Sequence, residues 1–138
     1  MDVNQIEVSP RIFREYDLRG KVPEELTPEV VYVIARAFGT LLVEDGISEC
    51  VIGHDSRNSS DEFRPVAVRG LRESGVDVVD VGMAISPSLY FSQHHLGVPG
   101  GFMITASHNP EGWNGFKLST GASTTLEPED VQRLHDIV

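Results

Sequence analysis

Residues 103–117 read MITASHNPEGWNGFK. An apolar run ends at Thr105, a Ser-His-Asn-Pro turn follows at once, and after two glycines the stretch closes on Lys117. Turn chemistry accounts for Asn109, Pro110 and the glycines, which preset or tolerate the backbone of a reversal. It does not account for Ser107, His108 or Lys117. A buried strand that ends in an alcohol, an imidazole and an amide needs a second reason for those side chains.

Working outward, helical and strand periods alternate along the chain. Upstream, GGFMIT (100–105) reads as a buried strand, and Ser86-Pro87 opens a helix that stops before Gly97. VDVVDVG (76–82) and CVIGHD (50–55) read as two further strands. Between them, Ser59 and Glu62 form a capping-box pattern for a helix that runs to Ser74 and closes at Gly75. Pro65 lacks an amide and crowds the preceding turn, so that helix is expected to start late or to bend there. Thr27-Pro28 predicts a helix start, followed by Val30, Val31, Val33, Ile34, Ala37, Phe38, Leu41 and Leu42 at helical spacing, with Gly46 at its end. Downstream, the Asn-Gly and Thr-Gly pairs of WNGFKLSTGAST read as turns around a fourth strand at 115–119. A last helix starts near Pro128 and reaches Val138 without a stop signal, as if the chain were cut there.

Strands alternating with helices predict an α/β layered domain with a mostly parallel sheet. Ligands of such sheets bind beyond the carboxyl ends of the strands. That rule brings the loop after Asp55, where His54, Asp55, Ser56 and Arg57 gather, to the same edge as the loop after Thr105 (Ser107, His108, Asn109).

Composition sets the outer bounds. A chain of 138 residues is read as one domain, residues 1–138, long enough for a real core. The formal charge of −10 argues against nucleic acid or an anionic membrane as the main partner. Its cations are unevenly placed, with Arg11, Arg14, Arg19 and Lys21 crowding the N-terminal arm. Cys50 is the only cysteine, which excludes an internal disulfide and a thiolate metal cluster. The start, MDVNQIEV, is acidic and polar rather than signal-like, and VVYVIARAFGTLLV is interrupted by Arg36 and Gly39. A reducing, cytoplasmic location is expected.

The chemistry open to Ser107 can be narrowed. A hydrolase nucleophile needs a base within reach and an oxyanion hole, but adjacent His108 diverges from it and no Gly-x-Ser-x-Gly elbow surrounds it. Ser107 and Asn109 could instead simply cap the turn before Pro110. A third role is phosphoryl carrier: a phosphoserine carries about −2 charge and three acceptor oxygens. Cations would stabilise it, with Lys117 returning from the hairpin and Arg19 or Arg57 approaching from other segments. A hard divalent ion would also need carboxylates. Asp77 and Asp80 fall on opposite faces of a strand and Asp130 on the last helix, so no Asp-x-Asp cluster is found.

TASHNP (105–110) with NGFK (114–117) closely resembles the phosphoserine loop of the α-D-phosphohexomutases, the phosphoglucomutases, phosphomannomutases and relatives. FREYDLRG (13–20) resembles that family's N-terminal arm, and GHDSR (53–57) its Gly-x-Asp-x-Arg turn. The resemblance implies the first domain of a four-domain enzyme, a three-layer α/β/α sandwich with a four-stranded mixed sheet whose last strand is antiparallel. By match, Ser107 is the phosphorylated serine, exchanging its phosphoryl group with a hexose phosphate through a bisphosphorylated sugar. Its phosphate would bind Mg2+, the remaining ligands lying in a later domain. Lys117 matches the active-site lysine. Tyr16 and Arg19 match arm residues facing the cleft, and His108 and Asn109 match positions that shape the loop. Arg57 matches a position that either touches substrate phosphate or holds the turn through Asp55.

TAS rather than SAS ahead of HNP leans toward the phosphomannomutase/phosphoglucomutase branch over the phosphoglucosamine branch. The resemblance further implies that the partners are a hexose phosphate and the remaining domains, that this chain alone lacks turnover, and that an apolar strip is exposed where those domains belong. The competing class is a binding or assembly module of the same fold without catalysis. His94 and His95 are read as cations at a helix C-terminus, Trp113 as a cover for the hairpin, and the acidic residues around 127–136 as a solvated helix face.

Overall fold

A computed structural model describes residues 2–122 and 124–138. Met1 of the N-terminal segment and Ser123 of the segment after the last strand lie outside the described residues.

Five strands form one mixed sheet: β1 (Leu18–Lys21), β2 (Glu49–His54), β3 (Asp77–Met83), β4 (Gly100–Ile104) and β5 (Trp113–Ser119), in the order β1-β5-β4-β2-β3. β2 pairs in parallel with β3 and β4, whereas β5 runs antiparallel to both β4 and β1. The antiparallel β5 agrees with the expected arrangement. The expectation of four strands is corrected to five, because Leu18–Lys21 of the N-terminal arm pairs onto the free side of β5. A segment reading Leu-Arg-Gly-Lys has no alternating apolar pattern, and its partner supplies the structure that its composition does not.

Helix α1 (Pro28–Glu44) begins as the sequence predicts, with Thr27 Oγ1 accepting from the Val30 amide at 3.3 Å. α2 spans Asn58–Glu73, α3 Ser86–Leu96 and α4 Pro128–Ile137. The Ser59–Glu62 capping box is not formed. α2 starts two residues earlier, with Arg57 at the N-cap and no side-chain cap, because Ser59 and Ser60 are engaged by Asn114. Nor does the helix start late, since Pro65 sits within it. Buried Phe63, Ala67 and Leu71 hold the helix on the sheet around the missing amide.

The side chains sort into three layers. Leu18, Cys50, Ile52, Phe102, Ile104, Phe116 and Leu118 point to the face covered by α1, α2 and α4. There Phe102 lies 5.9 Å from Phe38 and 5.1 Å from Phe116 between ring centroids. Each of these fully buried rings contributes roughly 2–3 kcal/mol by removal from water. Val51, Met103, Leu89 and Val98 pack together on the opposite face, under α3. Alternation along β5 therefore puts Lys117 and Ser119 on the α3 face, where Ser119 meets Gln93 of α3.

Asn114-Gly115 is not a turn, as the sequence suggests, but the second and third residues of β5. A Cβ on Gly115 would stand 2.0 Å from the Leu18 carbonyl oxygen, so β1 can approach only a glycine here. Met83, Ile85, Phe91 and Leu96 are large apolar residues left exposed along β3, α3 and their connection. Among the described residues no helix is long and apolar enough to cross a membrane.

Candidate active site

The parallel strands end together, and pairing continues just past their ends. The Asp55 amide donates to the Ile104 carbonyl at 3.0 Å, the Ala84 amide to the His54 carbonyl at 2.8 Å, and the Thr105 amide to the Gly115 carbonyl at 2.9 Å. The loops after β2, β3 and β4 thus leave the sheet side by side, as expected of this topology. They border an open depression of about 580 Å³ whose lining includes Asp55, Arg57, Ser107, His108 and Lys117. α2 and α3 both start at this edge, and neither has a side-chain cap at its N-terminus. Their first-turn amides give the edge a positive bias.

Ser107 is the one non-glycine residue with positive φ among the described residues, at +54°. That left-handed conformation costs an L-residue roughly 1–2 kcal/mol. It is sustained by a tight loop in which Thr105 Oγ1 accepts from the Ser107 amide at 3.0 Å and the Ala106 carbonyl accepts from the Asn109 amide at 3.0 Å.

Two arginines from distant segments hold the same loop. Arg19 Nε donates to Asp17 at 2.9 Å and Nη1 to Asn109 Oδ1 at 2.5 Å. Arg57 Nη1 donates to the carbonyls of Pro110 (3.0 Å) and Trp113 (3.1 Å), and Nη2 to those of Asn109 (2.6 Å) and Ser107 (3.4 Å). Its Nε lies 3.4 Å from Asp55 Oδ2. Lys117, opposite Met103 in the β4–β5 register, makes no ion pair among the described residues. Its ammonium is available to a ligand.

Of the residues singled out in the sequence, Ser107, His108, Lys117 and Arg57 border the depression together. Asn109 and Arg19 stand behind the loop, joined to each other. Tyr16 is half exposed, on the arm ahead of β1, and does not line the depression. His54 is buried beneath α2, with Nε2 3.9 Å from Asp61 and Nδ1 without a partner. Phe91 stacks on His95, and Lys21 lies 5.6 Å over the Trp113 ring. Sequence reasoning misses Asn114 and Ser60, both fully buried, which connect to Asp55 beneath the loop. The only local signal is the Asn-Gly pair, which equally suits a turn.

Among the described residues no three His, Cys, Asp or Glu come together as a metal-binding group. The Asp55 carboxylate is occupied by Ser60, the Arg57 amide and the Arg57 guanidinium. The oxygen this chain would offer a hard cation is that of Ser107, which fits one ligand position and not a complete set.

Residues 10–138 match the family described as phosphoglucomutase/phosphomannomutase, alpha/beta/alpha domain I. A phosphomannomutase of Escherichia coli is 41% identical over 126 residues, covering 88% of this chain and 27% of its own length. A phosphoglucomutase of Neisseria gonorrhoeae is 42% identical over 127 residues, covering 92% and 27%. The crystal structure of a phosphoglucomutase/phosphomannomutase family protein from Burkholderia thailandensis superposes with a TM-score of 0.87 at 35% identity, over 94% of this chain and 30% of that one. The chain thus spans just over a quarter of the length of the curated relatives it matches.

Proposed function

This chain belongs to the phosphoglucomutase/phosphomannomutase family, and from that premise we propose that it is the phosphoserine-bearing domain of a cytoplasmic hexose-phosphate mutase. Ser107 is the phosphoryl carrier. The observation that carries this reading is its left-handed backbone at the mouth of a depression shared with Lys117. A serine that only capped a turn would not require that conformation or an unpaired lysine facing the same space.

In the forward half-reaction a sugar hydroxyl oxygen attacks the phosphorus on Ser107. A new P–O bond forms to the sugar, the P–O bond to the serine breaks, and the proton lost by the attacking hydroxyl ends on the released serine oxygen. The product is a bisphosphorylated sugar and free Ser107. After the sugar turns over, the serine oxygen attacks its other phosphate, restoring phosphoserine and releasing the isomeric monophosphate.

Transfer of this kind depends on position and charge neutralisation. Lys117 supplies a cation beside the transferring group, and the two helix N-termini add partial positive charge. Arg19 and Asn109 fix the loop, while His108 borders the space above it. Tyr16, on the half-exposed arm, is assigned to the cleft. Ser107 would hold Mg2+ through its phosphate, and the bound ion would neutralise further charge, its other ligands coming from outside this chain. Turnover accordingly requires the rest of the polypeptide, and the isolated chain is expected to have none.

The test is to incubate the full-length protein with phosphorus-labelled hexose 1,6-bisphosphate and map the label by peptide mass. Label on the Ser107 peptide is expected. Label on another residue, or none at all in a protein that turns over, overturns the assignment.

A further inference from the structure

Beneath the Ser107 loop lies a directional chain of hydrogen bonds. Asn114 Oδ1 accepts from the Gly115 amide at 2.9 Å, which fixes the amide so that Nδ2 is the donor on the other side. Nδ2 donates to Ser59 Oγ at 2.7 Å and Ser60 Oγ at 2.9 Å. With its lone pair taken, the Ser60 hydroxyl donates to Asp55 Oδ1, which also accepts the Arg57 amide at 3.1 Å. The second carboxylate oxygen faces Arg57 Nε, and both terminal nitrogens of Arg57 are spent on loop carbonyls.

A guanidinium has five N–H donors in a rigid plane. Here the four terminal ones meet four main-chain oxygens, while Nε lies 3.4 Å from Asp55 Oδ2 as an ion pair. The side chain thus does for residues 107–113 what a neighbouring strand does for a ladder: it satisfies their carbonyls and fixes their spacing. No terminal donor remains for a phosphate. Of the two roles open to this residue, holding the turn through Asp55 is the one its contacts serve.

We infer that Asn114 and Ser60 are positioning residues for Ser107, acting through Asp55 and the Arg57 guanidinium, which clasps the loop rather than the substrate. Neither Asn114 nor Ser60 borders the depression, and both are fully buried. The chemistry requires these residue types. Aspartate at 114 could accept from Gly115 but could not donate to the serines, and alanine at 60 would leave one Asp55 oxygen short of a donor. A carboxylate so released turns with its arginine, and the carbonyls of the loop lose their common partner. The loop's geometry stands on these contacts alone; its effect on turnover rests on the proposed function.

The experiment compares Ser60→Ala, Arg57→Lys and Arg57→Ala with the unaltered full-length protein, by hydrogen exchange and by steady-state kinetics. Exchange of amides in 107–113 should quicken about tenfold or more in all three variants, with those of β2 and β4 unchanged, since a bond to a charged group is lost. kcat should fall by about tenfold to a hundredfold while KM for the hexose phosphate stays level, because the serine is misplaced and the sugar's contacts are not. Guanidinium ion at millimolar level should restore loop protection and kcat in Arg57→Ala. It should do nothing for Ser60→Ala, where the arginine is still present.

Unchanged loop exchange in Ser60→Ala or in Arg57→Lys, with the strands intact, overturns the inference. So does a rise in KM with kcat preserved, which would make Arg57 a substrate ligand. Should Ser60→Ala fail to fold, Asn114→Asp, which keeps the Gly115 contact and loses the donor to Ser60, takes its place with the same expected outcome. Quickened loop exchange in a protein with no mutase activity would uphold the clasp and dismiss the proposed reaction, so the two fail separately.

Discussion

Arg19 and Asn109, ninety positions apart in the sequence, meet through a 2.5 Å hydrogen bond from guanidinium to side-chain carbonyl. The bond ties the edge strand β1 to the loop that presents Ser107, from the side opposite Arg57. Asp17 holds the same guanidinium at 2.9 Å and aims it. An N-terminal arm without a strand signature is thereby part of the site's frame.

Replacing Arg19 by alanine should therefore act on the loop as well as on charge. A hydrogen bond to a charged group is worth about 1.5–3 kcal/mol, so kcat in the full-length protein should fall by about tenfold to a hundredfold. Asn109→Ala should give a loss of similar size, and the double variant should lose little more than either alone, since both remove one contact. Additive losses would show that the two side chains act independently.

The backbone at Ser107 yields a prediction that does not depend on catalysis. Glycine adopts φ near +54° without penalty, whereas alanine pays about 1 kcal/mol or more. Denaturant unfolding should thus find Ser107→Gly more stable than Ser107→Ala by about 1 kcal/mol. Equal stabilities, or the reverse order, would mean that the loop does not hold this conformation in solution.

Much of the fold is legible in the sequence, and the exceptions share a cause. α1 is legible because Thr27, Pro28 and a continuous apolar stripe all carry local signals. β2 and β4 are legible as short apolar runs that end in polar residues. β1 is not, because Leu18–Lys21 becomes a strand only through its partner β5. The same pairing reverses the meaning of Asn114-Gly115, where glycine is demanded by the close approach of the Leu18 oxygen rather than by a turn. At the site, residue types and loop ends identify Ser107, His108 and Lys117 as neighbours. The polar chain from Asn114 to Arg57 is invisible in the sequence, since its links depend on contacts between segments more than fifty residues apart.

Cys50 should impose an alkaline limit on stability. Its thiol is fully buried in β2, and burial pushes its pKa far above the ordinary value of 9.0. Above about pH 9 the unfolded chain loses the thiol proton and the folded chain keeps it. The folded state then binds more protons, so stability falls as pH rises, by about 1.4 kcal/mol per pH unit for this one group. Below pH 9 both states hold the proton and the contribution is flat. Cys50→Ala should unfold with a shallower alkaline slope than the unaltered chain, as measured by urea denaturation at a series of pH values. Identical slopes would show that the thiol is reached by solvent in the native state.

The most direct test of the phosphoryl-carrier role is the turnover of full-length protein carrying Ser107→Ala, assayed on glucose 1-phosphate and mannose 1-phosphate with a hexose bisphosphate activator. Loss of the serine oxygen should abolish interconversion while the α/β fold is retained by circular dichroism. Interconversion at the unaltered rate would contradict that role, because phosphorus would then be travelling by a route that does not pass through Ser107.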